Sequence, residues 1–430
     1  MNKPTRSPWT WVPTLYFAEG LPYVMVMTVS VIMYKRFGLS NTEIALYTSW
    51  LYLPWVIKPF WSPFVDILKT KRWWIIAMQL LIGGGLAGVA LTLPTPFYLQ
   101  ASLAFFWLLA FSSATHDIAA DGFYMLALDD SQQSFFVGIR STFYRLAMIT
   151  GQGLLIILAG FLEQSTGKIS LSWSITFFVL SGLFVAFFAY HNFILPYPAG
   201  DVERKDQTPK KILAEFVNTF ASFFRKKGII LAIAFMFLYR LAEAMLVKLA
   251  SPFLLDAREE GGLALSTQEV GLVYGTVGVI ALTIGGIIGG IVASQKGLKF
   301  WLWPMALAIT LPNVAYVFLS MTQPDNIWWV NVAVAIEQFG YGFGFTAYML
   351  YLIYFSEGEH KTAYYSICTG FMALGMMLPG MAAGWIQEQL GYQHFFIFIM
   401  ICTIPTLLLV PFMKIDPEFG KKKIKDQTGN

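Results

Sequence analysis

The sequence predicts an all-α integral membrane protein of twelve transmembrane helices arranged as two six-helix bundles. Three observations carry that expectation. The chain is 57% hydrophobic and only 13% charged over 430 residues, with a mean hydropathy of +0.60, whereas a soluble domain carries about a quarter charged residues. Its apolar residues gather into segments long enough to cross about 30 Å of hydrocarbon, which takes roughly 20 residues of helix. One half of the chain also echoes the other. Phe17-Ala18-Glu19 aligns with Leu241-Ala242-Glu243, Leu39-Ser40 with Leu265-Ser266, Glu43 with Glu269, and Ile44-Ala45-Leu46 with Val270-Gly271-Leu272. Each copy is an apolar helix holding a carboxylate, then a capped helix start, then a second apolar helix, as expected of repeats related by an axis along the membrane normal.

Taken in order, the predicted spans are Thr10–Met33, Asn41–Phe64, Trp73–Leu93, Phe97–Leu126, Ser134–Leu162, Trp173–Leu195, Gly228–Leu255, Thr267–Ala293, Phe300–Met321, Ile327–Phe355, Thr362–Gln389 and Phe395–Met413. The first comes after only Lys3 and Arg6, runs too long for a signal-peptide core and meets no small-residue cleavage site before Lys35-Arg36, so it is read as a retained span. Several spans begin at Ser, Thr, Asn or Asp, whose side-chain oxygens cap the first free N–H groups of a helix. Pro22, Pro54, Pro312 and Pro379 fall inside spans, which membrane helices tolerate when neighbours satisfy the freed carbonyl. Gly285-Gly286-Ile287-Ile288-Gly289-Gly290 sets small residues four apart and predicts a close helix–helix approach.

Between the sixth and seventh spans lies the polar, basic stretch 196–227, within which Ile212–Phe224 has the spacing of an interfacial helix. It separates an N-terminal bundle (1–195) from a C-terminal bundle (228–414), after which comes a tail (415–430). With the N-terminus inside, twenty Lys and Arg fall on the inner side and four on the outer, Lys35, Arg36, Lys168 and Arg258. The positive-inside rule then puts both termini in the cytoplasm. Twelve spans, similar halves, a basic central loop and both ends inside together describe the major facilitator architecture.

Lys58, Arg140, Arg145, Arg240 and Lys248 lie within spans, as do Glu19, Asp117, Asp121, Glu243 and Glu337; a charge there costs roughly 2.5–3.5 kcal/mol on insertion scales and is expected to face a wet cavity. At about 1.5 Å of rise per residue, Glu19 lies about 13 Å deep, Arg145 about 16 Å, Arg240 about 18 Å and Glu337 about 15 Å. Glu243 sits one turn beyond Arg240. These five make a midplane layer with one carboxylate in excess, and an acid without a cationic partner in low dielectric favours holding a proton. Glu19, Glu243 and Glu337 are therefore the candidate proton carriers. The alternative is structural pairing, Arg240 with Glu243 and Arg145 with Glu19 or Glu337. A second group, Lys58, Asp66, Asp117, Asp121 and Arg140, with His116, lies nearer the cytoplasm and reads as an inner gate that closes in the outward-open state, the alternative being a solvated cytoplasmic helix end. Asp117 and Asp121, four apart, share one helix face and need cations beside them.

Aromatics are 17% of the chain. Trp9, Trp11, Trp73, Trp74, Trp328 and Trp329 fall at span ends, as interfacial belts require. Tyr16, Tyr23, Trp50, Tyr144 and Tyr239 fall within spans, where aromatic faces can stack on sugar rings. The residues expected along the solute path are Tyr16, Glu19, Trp50, Tyr144, Arg145, Arg240, Glu243 and Glu337. Two separated cysteines, Cys368 and Cys402, suggest neither a disulfide framework nor a metal cluster. No nucleophile–base pair or phosphate-cradling glycine loop stands out, so neither an enzyme nor a cofactor is expected. The small net charge of +4 calls for no nucleic-acid partner.

Four motifs carry a resemblance: Glu19-Gly20-Leu21-Pro22; Lys58-Pro59-Phe60-Trp61-Ser62-Pro63-Phe64-Val65-Asp66; Ser112-Ser113-Ala114-Thr115-His116-Asp117-Ile118-Ala119-Ala120-Asp121; and Tyr144-Arg145-Leu146-Ala147-Met148. Together they resemble the AmpG-type muropeptide permeases, grouped with the acetyl-CoA transporters in one branch of the major facilitator superfamily. Ala147 stands where that family usually has glycine, and some members carry two further spans. The resemblance implies proton-driven import of anhydromuropeptides across a bacterial inner membrane, with Asp117, Asp121 and Arg145 on motif positions. A small-molecule substrate, lipid around the spans and a monomer are the partners expected. A carrier of another solute (an oligosaccharide, an acyl-nucleotide or a drug) and a non-transporting sensor on a carrier fold are the competing readings.

Overall fold

A computed structural model describes residues 6–202, 209–358 and 360–421, with the side chains of Asp66, Ile67, Asp130, Ser134 and 209–216 outside the description. Helix starts fall where short polar side chains can cap them. Ser40 and Ser266 each accept from the backbone N–H of the glutamate three residues on, while that glutamate bonds back to the cap. These reciprocal capping boxes are the repeat seen in the sequence, realised twice at the same end of the molecule.

The first half runs through α1 (Val12–Val24), α2 (Ser30–Arg36), α3 (Asn41–Trp50), α4 (Leu53–Leu68), α5 (Lys71–Thr92), α6 (Tyr98–Ala127), α7 (Asp130–Ile149), α8 (Leu155–Thr166) and α9 (Ile169–Ile194). The second half holds α10 (Pro209–Phe224), α11 (Ile229–Leu238), α12 (Leu241–Leu255), α13 (Thr267–Val270), α14 (Val279–Thr310), α15 (Val314–Thr322), α16 (Ile327–Phe355), α17 (Lys361–Cys402) and α18 (Ile404–Leu409). Three π-helical segments join α1 to α2, α7 to α8, and α13 to α14.

Among the described residues, eight helical stretches are long and apolar enough to cross a membrane. Two of them, Thr267–Thr322 and Lys361–Phe412, are 56 and 52 residues long, about twice what one crossing takes. Each contains a glycine with left-handed φ, Gly297 at 81° and Gly391 at 71°, where β-carbon-bearing residues are disfavoured. Both glycines fall between predicted spans, so the expected loops there are single-glycine turns. The predicted Asn41–Phe64 is split by a turn at Leu51-Tyr52 into α3 and α4, and α16 is diluted by Asn, Gln, Glu and Tyr; neither is among the eight.

Within each half the helices pack in groups: α5 on α6 and α9, α1 on α7, α14 on α16, and α12 on α17. The glycine-rich run works as expected, since a Cβ at Gly285 would lie 2.2 Å from the Phe339 carbonyl oxygen. Between halves, α3 and α4 lie on α17, α13 lies on α8, and the segments Thr150–Leu154 and Gly271–Gly278 cross. There a Cβ at Gly275 would lie 1.8 Å from the carbonyl oxygen of Gln152. Lys248 also bridges the halves, donating to Thr48 Oγ1 at 2.9 Å over the ring of Tyr52. The helix foreseen at Ile212–Phe224 forms within α10 and is anchored, with Phe223 buried among Phe355, Tyr364 and Phe371. Trp9, Trp73, Trp328 and Trp329 are exposed, whereas Trp11 is not a belt residue: it is buried edge-on against Phe123 at 5.3 Å.

Backbone atoms cannot yield as a side-chain tip can, so Gly275→Ala should destabilise the protein by about 1–3 kcal/mol through overpacking. Gly290, with open space around it, should accept alanine with no loss or a gain of about 0.4–1 kcal/mol. Thermal unfolding in detergent checks both, and equal melting temperatures for the two variants would contradict the close crossing.

Candidate functional site

A cavity of about 580 Å³ lies between the halves. Its wall runs from Lys69, Lys71, Gly200 and Asp201 at the loop end to Tyr23, Tyr52, Trp55 and Arg240 inside, with Lys58, Asp117 and Asp121 along the way. Residues of α17, from Thr362 to Met376, close the opposite wall. Such mixed lining, apolar and aromatic with a few placed charges, is the form small-molecule sites take.

The far end is sealed by a network that crosses between the halves. Lys35 bonds Asp256 at 2.6 Å and Asn41 Oδ1 at 2.9 Å. The Asn41 amide donates to Gln387 Oε1 at 2.7 Å and to the Tyr392 hydroxyl at 2.8 Å, and that hydroxyl donates to Asp256 at 2.6 Å. Thr42 donates through its backbone N–H and its hydroxyl to Glu388, at 2.9 and 2.6 Å. Glu163 takes Arg36 at 3.1 Å from its own half and the Thr267 hydroxyl at 2.8 Å from the other. None of these was foreseen as functional. The one signal in the sequence was the repeated cap: Asn41, Thr42 and Thr267 open the first turns just after Ser40 and Ser266.

The expected inner-gate group is brought together. Lys58 pairs with Asp117, and Arg140 with Asp121 at 3.1 Å. All four lie in the first half, on α4, α6 and α7, so in this conformation the pairs tie that half to itself rather than closing the passage. Tyr16, placed on the solute path by the sequence, instead belongs here. Its hydroxyl donates to Asp121 at 3.1 Å and accepts from Arg140 Nη1 at 3.1 Å, with the Arg140 guanidinium 4.6 Å from the ring centre. Asp66 lies on α4, but its side chain is outside the described residues. His116 is a packed residue: its Nε2 bonds Gln79, whose oxygen bonds His191 Nδ1, whose Nε2 bonds Thr14, at 3.1, 3.0 and 2.9 Å.

The single midplane layer divides. Glu19 is buried with Asp117, Asp121 and Arg140 as its charged neighbours, so it joins the inner group and does not pair with Arg145. Arg145 is half-buried at the seam between halves, its guanidinium against Gly286 of α14, with no ion pair among the described residues. Tyr144 packs on Gly20 of α1. Trp50, 41% exposed at the end of α3, forms no part of the cavity wall.

Arg240 and Glu243 do not form the expected one-turn pair either. Arg240 interrupts the helix between α11 and α12, with φ −111° and ψ 8°. Its Nη2 donates to the Tyr341 hydroxyl at 2.5 Å, and its charge lies over Phe345 at 4.8 Å. Glu243 is 2% exposed and neither oxygen has a hydrogen-bond partner among the described residues. Glu337, equally buried, has Glu243 as its charged neighbour and accepts from the Gln338 amide at 3.0 and 3.3 Å.

The comparisons with known proteins agree with this geometry. A profile of the Major Facilitator Superfamily matches residues 14–357. The protein designated transporter AmpG 4 in Rickettsia conorii is 27% identical over 422 residues, covering 93% of this chain and 94% of that one. The anhydromuropeptide permease of Escherichia coli K12 is 25% identical over 409 residues, covering 92% of this chain and 77% of that one. Among solved structures, a nucleoside transporter, NupG, superposes with a TM-score of 0.70 at 13% identity, covering 94% of this chain and 99% of that one. A bacterial homologue of the lysosomal transporter Spinster, solved inward-facing and unoccupied, gives 0.69 at 15% identity, covering 95% and 96%.

Ser49 lies buried beneath the sealing network, against Gly380. In a background with Cys368 and Cys402 replaced by serine, Ser49→Cys should react with an impermeant maleimide severalfold faster once Asp256→Asn removes the Lys35 pair. Unchanged labelling would mean that something other than this network closes that end.

Proposed function

This chain belongs to the Major Facilitator Superfamily, and we propose that it is a proton-coupled importer of anhydromuropeptides or related amino-sugar fragments of the cell wall. The observation that carries the reading is the cavity between the halves, open at the basic end, sealed at the other, and lined by Lys58, Asp117, Asp121 and Arg240 among aromatic side chains. Relatives named as AmpG transporters and as an anhydromuropeptide permease, matched along nearly the whole chain, support the substrate class.

In this reading the chain has twelve spans in two six-helix bundles (1–195 and 228–414), a cytoplasmic linker (196–227) and a cytoplasmic tail (415–430), and works as a monomer in a bacterial inner membrane. The excess of Lys and Arg at the end carrying both termini supports a cytoplasmic position for that end. The cavity is then inward-facing, and the Lys35–Asp256 network closes the periplasmic side. Aromatic faces at Tyr23, Tyr52 and Trp55 take sugar rings, while charged groups orient the solute. Transport draws on the proton gradient through Glu19, Glu243 and Glu337, buried carboxyl groups without an ion-pair partner among the described residues.

Proteoliposomes loaded at alkaline pH and diluted into acidic buffer should accumulate labelled N-acetylglucosaminyl-anhydro-N-acetylmuramic acid. Collapsing the gradient with an uncoupler should reduce accumulation at least tenfold. Glu243→Gln or Glu337→Gln should leave exchange of labelled for unlabelled solute largely in place while abolishing gradient-driven accumulation. Accumulation insensitive to the gradient, and unaltered by Glu→Gln changes at all three positions, would remove proton coupling. A panel of competing sugars reads the specificity in the same vesicles.

A further inference from the structure

We propose that Arg240 anchors a carboxylate of the transported solute, and that the buried Glu243–Glu337 pair competes for the same guanidinium until the pair holds a proton. The inference rests on the amino-sugar reading and names the solute group that the cavity recognises.

Arg240 reaches the cavity wall yet is only 6% exposed. Lys58, the basic residue of the wall between the loop end and Arg240, is committed to Asp117. Arg240 has no carboxylate within ion-pair distance among the described residues. One terminal nitrogen is held by the Tyr341 hydroxyl, the aromatic faces of Tyr341, Phe345 and Tyr348 lie 5.5, 4.8 and 5.9 Å away, and its Nε has no partner. Aromatic rings fix the plane of a guanidinium without neutralising it. Such a fork matches a planar oxyanion bound through two parallel N–H donors. An unmatched cation at this depth is costly, so an anionic solute gains more here than its neutral analogue.

One turn along α12 lies Glu243, which with Glu337 of α16 makes the competing carboxylate pair. Glu243 and Glu337 are each 2% exposed and are charged neighbours of one another. The groups that face them are Arg240, the Gln338 amide, and the phenols of Tyr274, Tyr316 and Tyr341. Two carboxylates so placed in a dry interior cannot both remain ionised without a cation. Either a proton resides on the pair, or Arg240, already at a break in the helix, turns to it. With the proton present, and with no other carboxylate within ion-pair distance among the described residues, Arg240 is left to an anion delivered through the cavity. Solute and proton then bind with positive coupling, each raising the other's affinity by the same factor.

Isothermal titration of the purified full-length protein with anhydro-N-acetylmuramic acid disaccharide and with its methyl ester tests this. At pH 6.0 the acid should bind at least tenfold more tightly than the ester, and that preference should shrink severalfold at pH 7.5. Arg240→Gln should abolish the preference and Arg240→Lys, which keeps the charge but loses the fork, should restore part of it. Glu243→Gln should hold the preference constant across the two pH values. Equal affinity for acid and ester in the unaltered protein, or a preference that survives Arg240→Gln, would overturn the anchor while leaving the amino-sugar reading intact. Binding of neither compound would overturn the amino-sugar reading itself, and this inference with it.

Discussion

A charge inside hydrocarbon needs a counter-charge or water, and this constraint explains more of the molecule than any packing rule. The first half meets it locally except at Arg145, which has no ion pair among the described residues. Lys58 has Asp117, Arg140 has Asp121 and Tyr16, and only Glu19 is left over beside them. The second half does not. Arg240 is held by aromatic faces and a phenol, and Glu243 and Glu337 lie together with the Gln338 amide as their one hydrogen-bond donor among the described residues. The halves share the repeated capped helix start and differ in electrostatics. In the proposed reading, the unmatched charges of the second half are the groups that respond to solute and proton.

The Lys35 end adds a different kind of interaction. Its polar contacts join one half to the other, whereas the ion pairs near the cavity mouth join the first half to itself. A net hydrogen bond contributes about 0.5–1.5 kcal/mol, and one to a charged group about 1.5–3. Several such bonds favour the closed end by an amount that differential binding of a solute can offset. A much larger apolar seal would have trapped the protein in one state.

Much of this was legible from residue order. Glu19 and Glu243 in matching contexts, the paired caps at Ser40 and Ser266, and the span ends near Gly297 and Gly391 all came from spacing. Rise per residue grouped Glu19 with Arg145, whereas it lies with Asp117 and Asp121. Azimuth was not legible either. The packing of α1 on both α6 and α7 leaves Glu19 beside Asp117 rather than Arg145, and the break at Arg240 leaves that residue on Tyr341 rather than Glu243. Likewise Lys35, Asn41 and Asp256 looked like ordinary loop and cap residues. Their role depends on partners more than 200 positions away, or on Gln387 and Tyr392, which no local pattern reveals.

The crossing of Thr150–Leu154 over Gly271–Gly278 has a mechanical corollary. Main chain meets main chain there with no side chain interposed at Gly275, and Gly153 and Gly271 also bring backbone close to the opposite segment. Sliding would drive carbonyl into carbonyl, but tilting about the contact displaces those atoms very little. In the proposed transport cycle the glycine crossing would serve as a fulcrum, where small angular changes become swings of many ångströms at both mouths, in opposite senses.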